Sequence, residues 1–204
     1  MIGPYGGKFP KIFEEISDKR LILLETIRHG VVAGAAGGLA EIALVTVYAG
    51  ATGTDAATVA RGVTTAAGVN ALFPAAPAAM GVTVHMALAV TLGIALSCGW
   101  RALSSHRVEI ANPFPFMLAA LAGVWAFNFF VVLPIVSPGF IHLVPYPVSL
   151  MSKIVFGLAA AAALRKQDAS VLKARLGRYC ANPVMIPARL APPQRLARNE
   201  KLRA

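Results

Sequence analysis

The run from Gly30 to Gly50, GVVAGAAGGLAEIALVTVYAG, is apolar enough to cross a bilayer, yet it holds an acid, Glu41, where lipid should be. A helix begun near Ile27 gives roughly 24 residues, enough to span a hydrocarbon core of about 30 Å with some tilt. Glu41 then falls inside the membrane. Gly30, Gly34, Gly37 and Gly38 lie on one narrow arc of an α-helix, and Glu41 shares that arc. Overlapping small-xxx-small steps let a second backbone come close, so these glycines are expected to face protein, with the carboxyl pointing into a bundle rather than at lipid.

The rest of the chain supports a bundle. Of 204 residues, 57% are hydrophobic and 14% charged, too apolar for an ordinary soluble domain and enough for about four spans with short connections. The fold class expected is therefore all-α: a polytopic membrane bundle of four transmembrane helices with amphipathic surface helices. Its parts are a cytoplasmic amphipathic segment over residues 1–26, a transmembrane domain over 27–164 and a basic cytoplasmic tail over 165–204. Lys8, Lys11, Glu14, Glu15, Asp18, Lys19, Arg20 and Glu25 crowd the first segment without a cleavage site, so no signal peptide is expected. Cys98 and Cys180 lack CxxC spacing and read as reduced thiols.

The second span is expected over about Met80–Trp100, where Gly81, His85, Ala89, Gly93 and Ser97 form an i, i+4 ridge of small or polar residues. The third, about Phe116–Val136, carries Trp125, Phe127, Phe129 and Phe130 in one half as an aromatic belt, with Asn128 among them. The fourth, about Val148–Leu164, sets Ser149, Lys153 and Gly157 on one face. Between the first two spans, Thr54 is expected to cap a short helix reaching about Ala67. Lys and Arg gather before the first span, between the second and third (Arg101, Arg107) and in the tail; the remaining connections hold only Arg61. That bias places both termini in the cytoplasm.

Measured inward from one side, Glu41, His85, Asn128 and Lys153 all lie roughly 8–13 Å deep at about 1.5 Å per residue. Each helix thus contributes one polar group to a layer, centred on an expected ion pair between Glu41 and Lys153. Three readings stay open: a structural network that fixes helix register, a proton or small-solute pathway in which Glu41 and His85 titrate, and a metal or haem site drawing on His85, His142 and Glu41. No HxxxH, HExxH or CxxC supports the third, so neither metal nor cofactor is assigned. Hydrolytic, Walker-type and dinucleotide motifs are also absent, and no catalytic residue is assigned.

The tail holds ten Lys or Arg against Asp168 and Glu200, a net +8 within a total of +10. Lys166, Lys173, Arg175 and Arg178 belong to a basic amphipathic helix suited to anionic headgroups. Nucleic acid is not expected as a partner, because no aromatic platform or recognition module accompanies the charge.

Two stretches, GVTVHMALAVTLGIALSCGW and LPIVSPGFIHLVPYPVSLMSKIVFGL, resemble the YagU-like group of small bacterial inner-membrane proteins. The resemblance covers about half the chain and implies a multi-span membrane location and a placement for His85. It differs at Lys153, where that group tends to carry His. The function expected is non-enzymatic: an accessory or scaffolding component that associates with other membrane subunits, or with itself, through small-residue faces and the tail. The alternative is a small-solute or proton transporter using the Glu/His/Lys layer.

Overall fold

From Lys11 to Thr52 the sequence offers a helix no interruption. Neither proline nor β-branched run separates the charged beginning from the apolar run, and α1 (Lys11–Thr52) is continuous through the boundary expected near residue 26. The computed structural model describes residues 11–69, 71–72, 74–106 and 112–181. Lys8, Arg107 and the tail beyond residue 181, all used above, lie outside them. After α1 come α2 (Ala56–Ala66), α3 (Pro77–His106), α4 (Pro113–Phe127), a π-helical turn (Asn128–Val132), α5 (Leu133–Val136), α6 (Phe140–Leu143) and α7 (Tyr146–Ala181). Among the described residues there is no strand, and four stretches are long and apolar enough to cross a membrane: Lys19–Thr52, Pro77–Ser104, Pro113–Val136 and Tyr146–Val171. The protein is a multi-pass membrane helix bundle.

α1 ends in a glycine-terminated cap. Gly53 takes a φ of +71°, and the Thr54 amide donates back to the Ala49 carbonyl at 2.9 Å, closing the last turn. Thr54 is thereby engaged in ending α1, and Asp55 rather than Thr54 caps α2, its Oδ1 accepting the Ala57 amide at 3.0 Å. A carboxylate at this position satisfies a free amide and meets the positive end of the helix dipole. Gly68, φ +69°, closes α2 in the same way, with Val69 donating to the Thr64 carbonyl.

The third span departs from a plain α-helix, and Pro134 explains why. A proline cannot donate to the carbonyl four residues back, and its ring collides with that carbonyl, here that of Phe130. The wider turn at Asn128–Val132, in which the Leu133 amide donates to the Asn128 carbonyl, relieves the collision while the helix continues. Phe129 is turned inward and buried, whereas Phe127 and Phe130 are exposed. Trp125, Phe129, Phe130 and Tyr146 form an aromatic group with ring centroids 5.5–6.4 Å apart, tying this turn to the start of α7.

The glycines hold the helices together. A Cβ at Gly30 would stand 2.5 Å from the Cα of Ile94, and one at Gly34 or Gly93 would strike the backbone of the opposite helix, so α1 and α3 meet backbone to backbone. Gly38 lies against Ala89 and Met86, Gly37 against the Phe156 ring, Gly81 against the Ala60 carbonyl of α2, and Gly157 against Leu121 and Leu118. The expected small-residue faces are therefore engaged within the chain. A core of Ala33, Ala89, Leu96, Met117, Leu121, Phe156 and Ala160 fills the centre between all four spans. Arg101 donates through Nη1 to Thr26 Oγ1 at 2.9 Å, latching α3 to α1 at the end away from α2.

In the unit beginning at Gln167, α7 continues through Lys173, Arg175 and Arg178 as expected for a tail helix. Lys166, at the end of the preceding unit, and Lys173 are exposed.

Gly93→Val places branched carbons where α1 backbone now lies and should lower the melting temperature in detergent, with an overpacking cost of about 1–3 kcal/mol or more. Gly123 has no atom within 4 Å of the Cβ it would acquire. Gly123→Ala should therefore leave that temperature unchanged or raise it, by up to about 1 kcal/mol of helix propensity. A thermal melt of both variants checks the contrast.

The Ala57 amide holds the Asp55 carboxyl below its ordinary value of 3.8, and the nearby Arg61 guanidinium, at 3.1 Å, adds to this. Because the folded pKa is depressed, the stabilising contribution is complete above 3.8 and disappears as pH falls through the lower folded value. The Ala57 amide resonance should titrate with an apparent pKa below 3.8, and Asp55→Asn should abolish that titration.

Candidate functional site

Close approach of α1 to α3 carries Glu41 and His85 onto facing sides of one interior space. Gly38 and Ala89 touch, and His85 stands one turn before Ala89 on the same ridge. On α7, Ser149, Ser152, Lys153 and Phe156 follow i, i+3, i+4, i+7 spacing, which turns all four toward the same interior. Phe156 meets Gly37, and that contact sets Lys153 level with Glu41.

Lys153 Nζ lies 2.5 Å from Glu41 Oε1 in a charge-assisted hydrogen bond, the pair expected from the sequence. Ser152 Oγ is 2.8 Å from the same carboxylate oxygen and 2.8 Å from the Ser149 carbonyl, so its single proton is shared between two acceptors. Ser149 Oγ receives the Trp125 indole N–H at 2.9 Å and donates to the Tyr146 carbonyl at 2.9 Å. These contacts connect α1, α4 and α7 through polar side chains that are all buried or half-buried.

The other carboxylate oxygen is different. Glu41 Oε2 faces His85 Nε2 at 3.9 Å, too far for a hydrogen bond, and each of these two buried atoms lacks any other partner. The Glu41 side chain keeps only 9% of its surface accessible, against 22% for His85 and 19% for Lys153. A buried carboxylate oxygen with nothing donating to it is costly in a low-dielectric interior. Its neighbour Oε1 takes both available donors.

The Glu41 and His85 side chains line a cavity of about 890 Å³. Its polar wall is Glu41, His85, Asn128, Ser149, Ser152 and Lys153, while residues such as Val45, Val63, Leu88 and Val132 make the remainder apolar. α2 and α6 close one end: Ala60 and Val63 of α2 and Phe140 of α6 line the space, and Gly62 packs on Leu143 and Phe140. The long connection between the first two spans is thus a wall of the cavity.

Of the four residues expected in one layer, Glu41, His85 and Lys153 meet directly. Asn128, at the start of the π turn, lines the same cavity, and among the described residues no hydrogen bond joins it to the other three. Asn128 lines the cavity although the small residue Gly123, which would mark a packing face, has no neighbour within 4 Å of the Cβ it would acquire. His142, at the end of α6, is not among the lining residues. No group of three or more His, Cys, Asp or Glu able to hold a metal gathers among the described residues. Ser152 went unnoticed in the sequence, although its position three residues after Ser149 and directly before Lys153 was a usable signal. The π turn was also missed, although Pro134 within a span announced it.

No family model matches the chain, and no curated protein or solved structure does either.

Removing one member of the pair strands the other charge in the bundle, a loss of roughly 3–5 kcal/mol for buried pairs. Glu41→Leu and Lys153→Met should each depress the melting temperature strongly, and the double variant should recover most of the loss. A double-mutant cycle measures this. Additive losses would show that the two side chains do not act as a unit.

Proposed function

We propose that this protein is a small-solute carrier that receives an organic molecule in the cavity between its four spans, using Glu41, His85 and Lys153 as the polar contact. One observation carries the reading: Glu41 Oε2 and His85 Nε2 are buried and unpartnered, and their side chains line a largely apolar space of about 890 Å³. A network serving helix register alone requires mutual satisfaction, and Oε1 achieves it while Oε2 does not. A volume of this size lies within the range of pockets that enclose small organic ligands, typically about 300–1,000 Å³, and exceeds what a file of protons requires. Intramembrane ionisable groups in transporters commonly mark the substrate path.

The distribution of Lys and Arg supports both ends being cytoplasmic, and the YagU-like resemblance implies a bacterial inner membrane. In that orientation α2 and α6 cap the external side, and the solute site lies in the outer half of the bilayer. The basic tail, including Lys166, Lys173, Arg175 and Arg178, holds anionic headgroups on the cytoplasmic side.

The test separates binding from folding through His85, whose Nε2 makes no hydrogen bond and whose removal costs the bundle one contact with the Gly38 backbone. Purified in gentle detergent, the wild-type chain should retain a small molecule at about one per chain, and His85→Leu should lose it while melting within about 1 kcal/mol of wild type. Flux of the retained molecule into proteoliposomes should fall with it. An empty chain that migrates in a larger complex at fixed ratio would sink the carrier reading in favour of an accessory or scaffolding subunit.

A further inference from the structure

Resting on that reading, we propose that the carrier takes up one proton together with an organic anion of single charge, the proton seated between His85 Nε2 and Glu41 Oε2 and the anion on Lys153 beside it. The tautomer of His85 fixes the first half. Its ring hydrogen-bonds the Gly38 backbone, and because Nε2 has no partner, that contact is made by Nδ1. Gly38 lies inside α1, where its amide belongs to the helix ladder and its carbonyl has a lone pair to spare. Nδ1 therefore carries the hydrogen, and Nε2 of the neutral ring is an acceptor. Two acceptors thus face each other at 3.9 Å with no donor between them.

Each of these atoms has less than 1 Å² of accessible surface, so no solute head group reaches them. A proton needs no such surface. On Nε2 it makes an imidazolium with a donor on each nitrogen, one for the Gly38 carbonyl and one for Oε2. A swing of about 1 Å then brings the pair to hydrogen-bond length. The proton comes from solvent by way of the cavity, toward which His85 keeps 22% of its side chain accessible. One N–H bond forms at Nε2, and the Glu41–Lys153 pair stays in place.

Charge balance specifies the companion. The titratable groups on the cavity wall are Glu41 from α1, His85 from α3 and Lys153 from α7, and with His85 neutral they sum to zero. α2 adds none, since Arg61 is paired with Asp55 at 3.1 Å and neither lines the space. The π turn, α5 and α6 add none either among the lining residues. Proton uptake therefore leaves one positive charge in a low-dielectric interior, which is costly unless an opposite charge arrives with it. Lys153 offers the seat: its ammonium carries three N–H groups, one is engaged with Glu41 Oε1, and 19% of the side chain is accessible. The Asn128 amide lines the same wall. A neutral solute would leave the positive charge standing, and an organic cation would double it. Val45, Val63, Leu88 and Val132 suit the hydrocarbon part of the anion.

The experiment uses the full chain in phosphatidylcholine nanodiscs, with two probes that differ in charge alone at neutral pH: benzenesulfonate, an anion at every pH used, and neutral benzenesulfonamide. Nitrogen-15 NMR of labelled histidine follows Nε2 of His85 from about pH 5 to pH 8, the range in which imidazoles ordinarily titrate. Nε2 should gain its proton within that range, and the Glu41 carboxyl carbon should respond at the same midpoint. Saturating benzenesulfonate should let His85 hold its proton to about one pH unit higher, because coupling between two ligands is reciprocal; that unit is a tenfold gain in anion affinity on protonation. The sulfonamide should leave the midpoint unmoved, and in His85→Gln benzenesulfonate binding should lose its pH dependence. An Nε2 that stays bare, or stays protonated, throughout would overturn the proton site. Equal shifts by both probes would overturn the anion and leave the carrier reading standing. Binding of neither probe would overturn the pairing of proton and anion; a chain that nevertheless purifies with a small molecule keeps the carrier reading, and an empty one loses it too.

Discussion

The Glu41–Lys153 ion pair is the interaction on which the arrangement depends, because neither charge is tolerable alone at that depth. Each imposes a position on its helix: α1 must turn Glu41 inward and α7 must turn Lys153 to meet it at the same level. Ser152 adds a second donor to the same oxygen, and Ser149 passes the constraint on to Trp125 of α4. The polar contacts thus fix rotation and register, which interchangeable apolar contacts between helices in lipid define poorly.

What brings the helices near enough for such a pair is the absence of side chains elsewhere. Gly30, Gly34 and Gly93 allow α1 and α3 to touch along their backbones, and Gly37 accepts the Phe156 ring one turn from Glu41. The two devices are complementary. Glycines supply dispersion contact without direction, while the ion pair supplies direction. Between them they leave a cavity, which the π turn after α4 lines on one side and α2 and Phe140 of α6 line on another.

Much of this was readable before any coordinates. Four spans, the inward Glu41 and its meeting with Lys153 follow from helical periodicity and from the cost of isolated charge in lipid, two arguments that local sequence carries. Thr54 was a poorer guide than Asp55, because which residue caps α2 depends on where α1 stops, and that was decided by the left-handed Gly53. The continuity of α1 through residue 26 was hidden by a change in composition that alters the environment of a helix without breaking it. The cavity could not be read at all. Periodicity reports which way a side chain faces, whereas an empty volume depends on how far apart the facing walls stand, and that distance is fixed by contacts made elsewhere.

The two carboxylate oxygens of Glu41 are unequally satisfied within one side chain. Oε1 receives Lys153 and Ser152 and is fully engaged in holding the bundle; Oε2 receives nothing and lies beside His85 Nε2, which is equally without a partner. Turning the carboxyl over would exchange the oxygens without satisfying either more fully, since both donors approach from α7. The site therefore carries an unmet hydrogen-bonding demand that the four spans impose together and that no neighbouring side chain on the cavity wall meets.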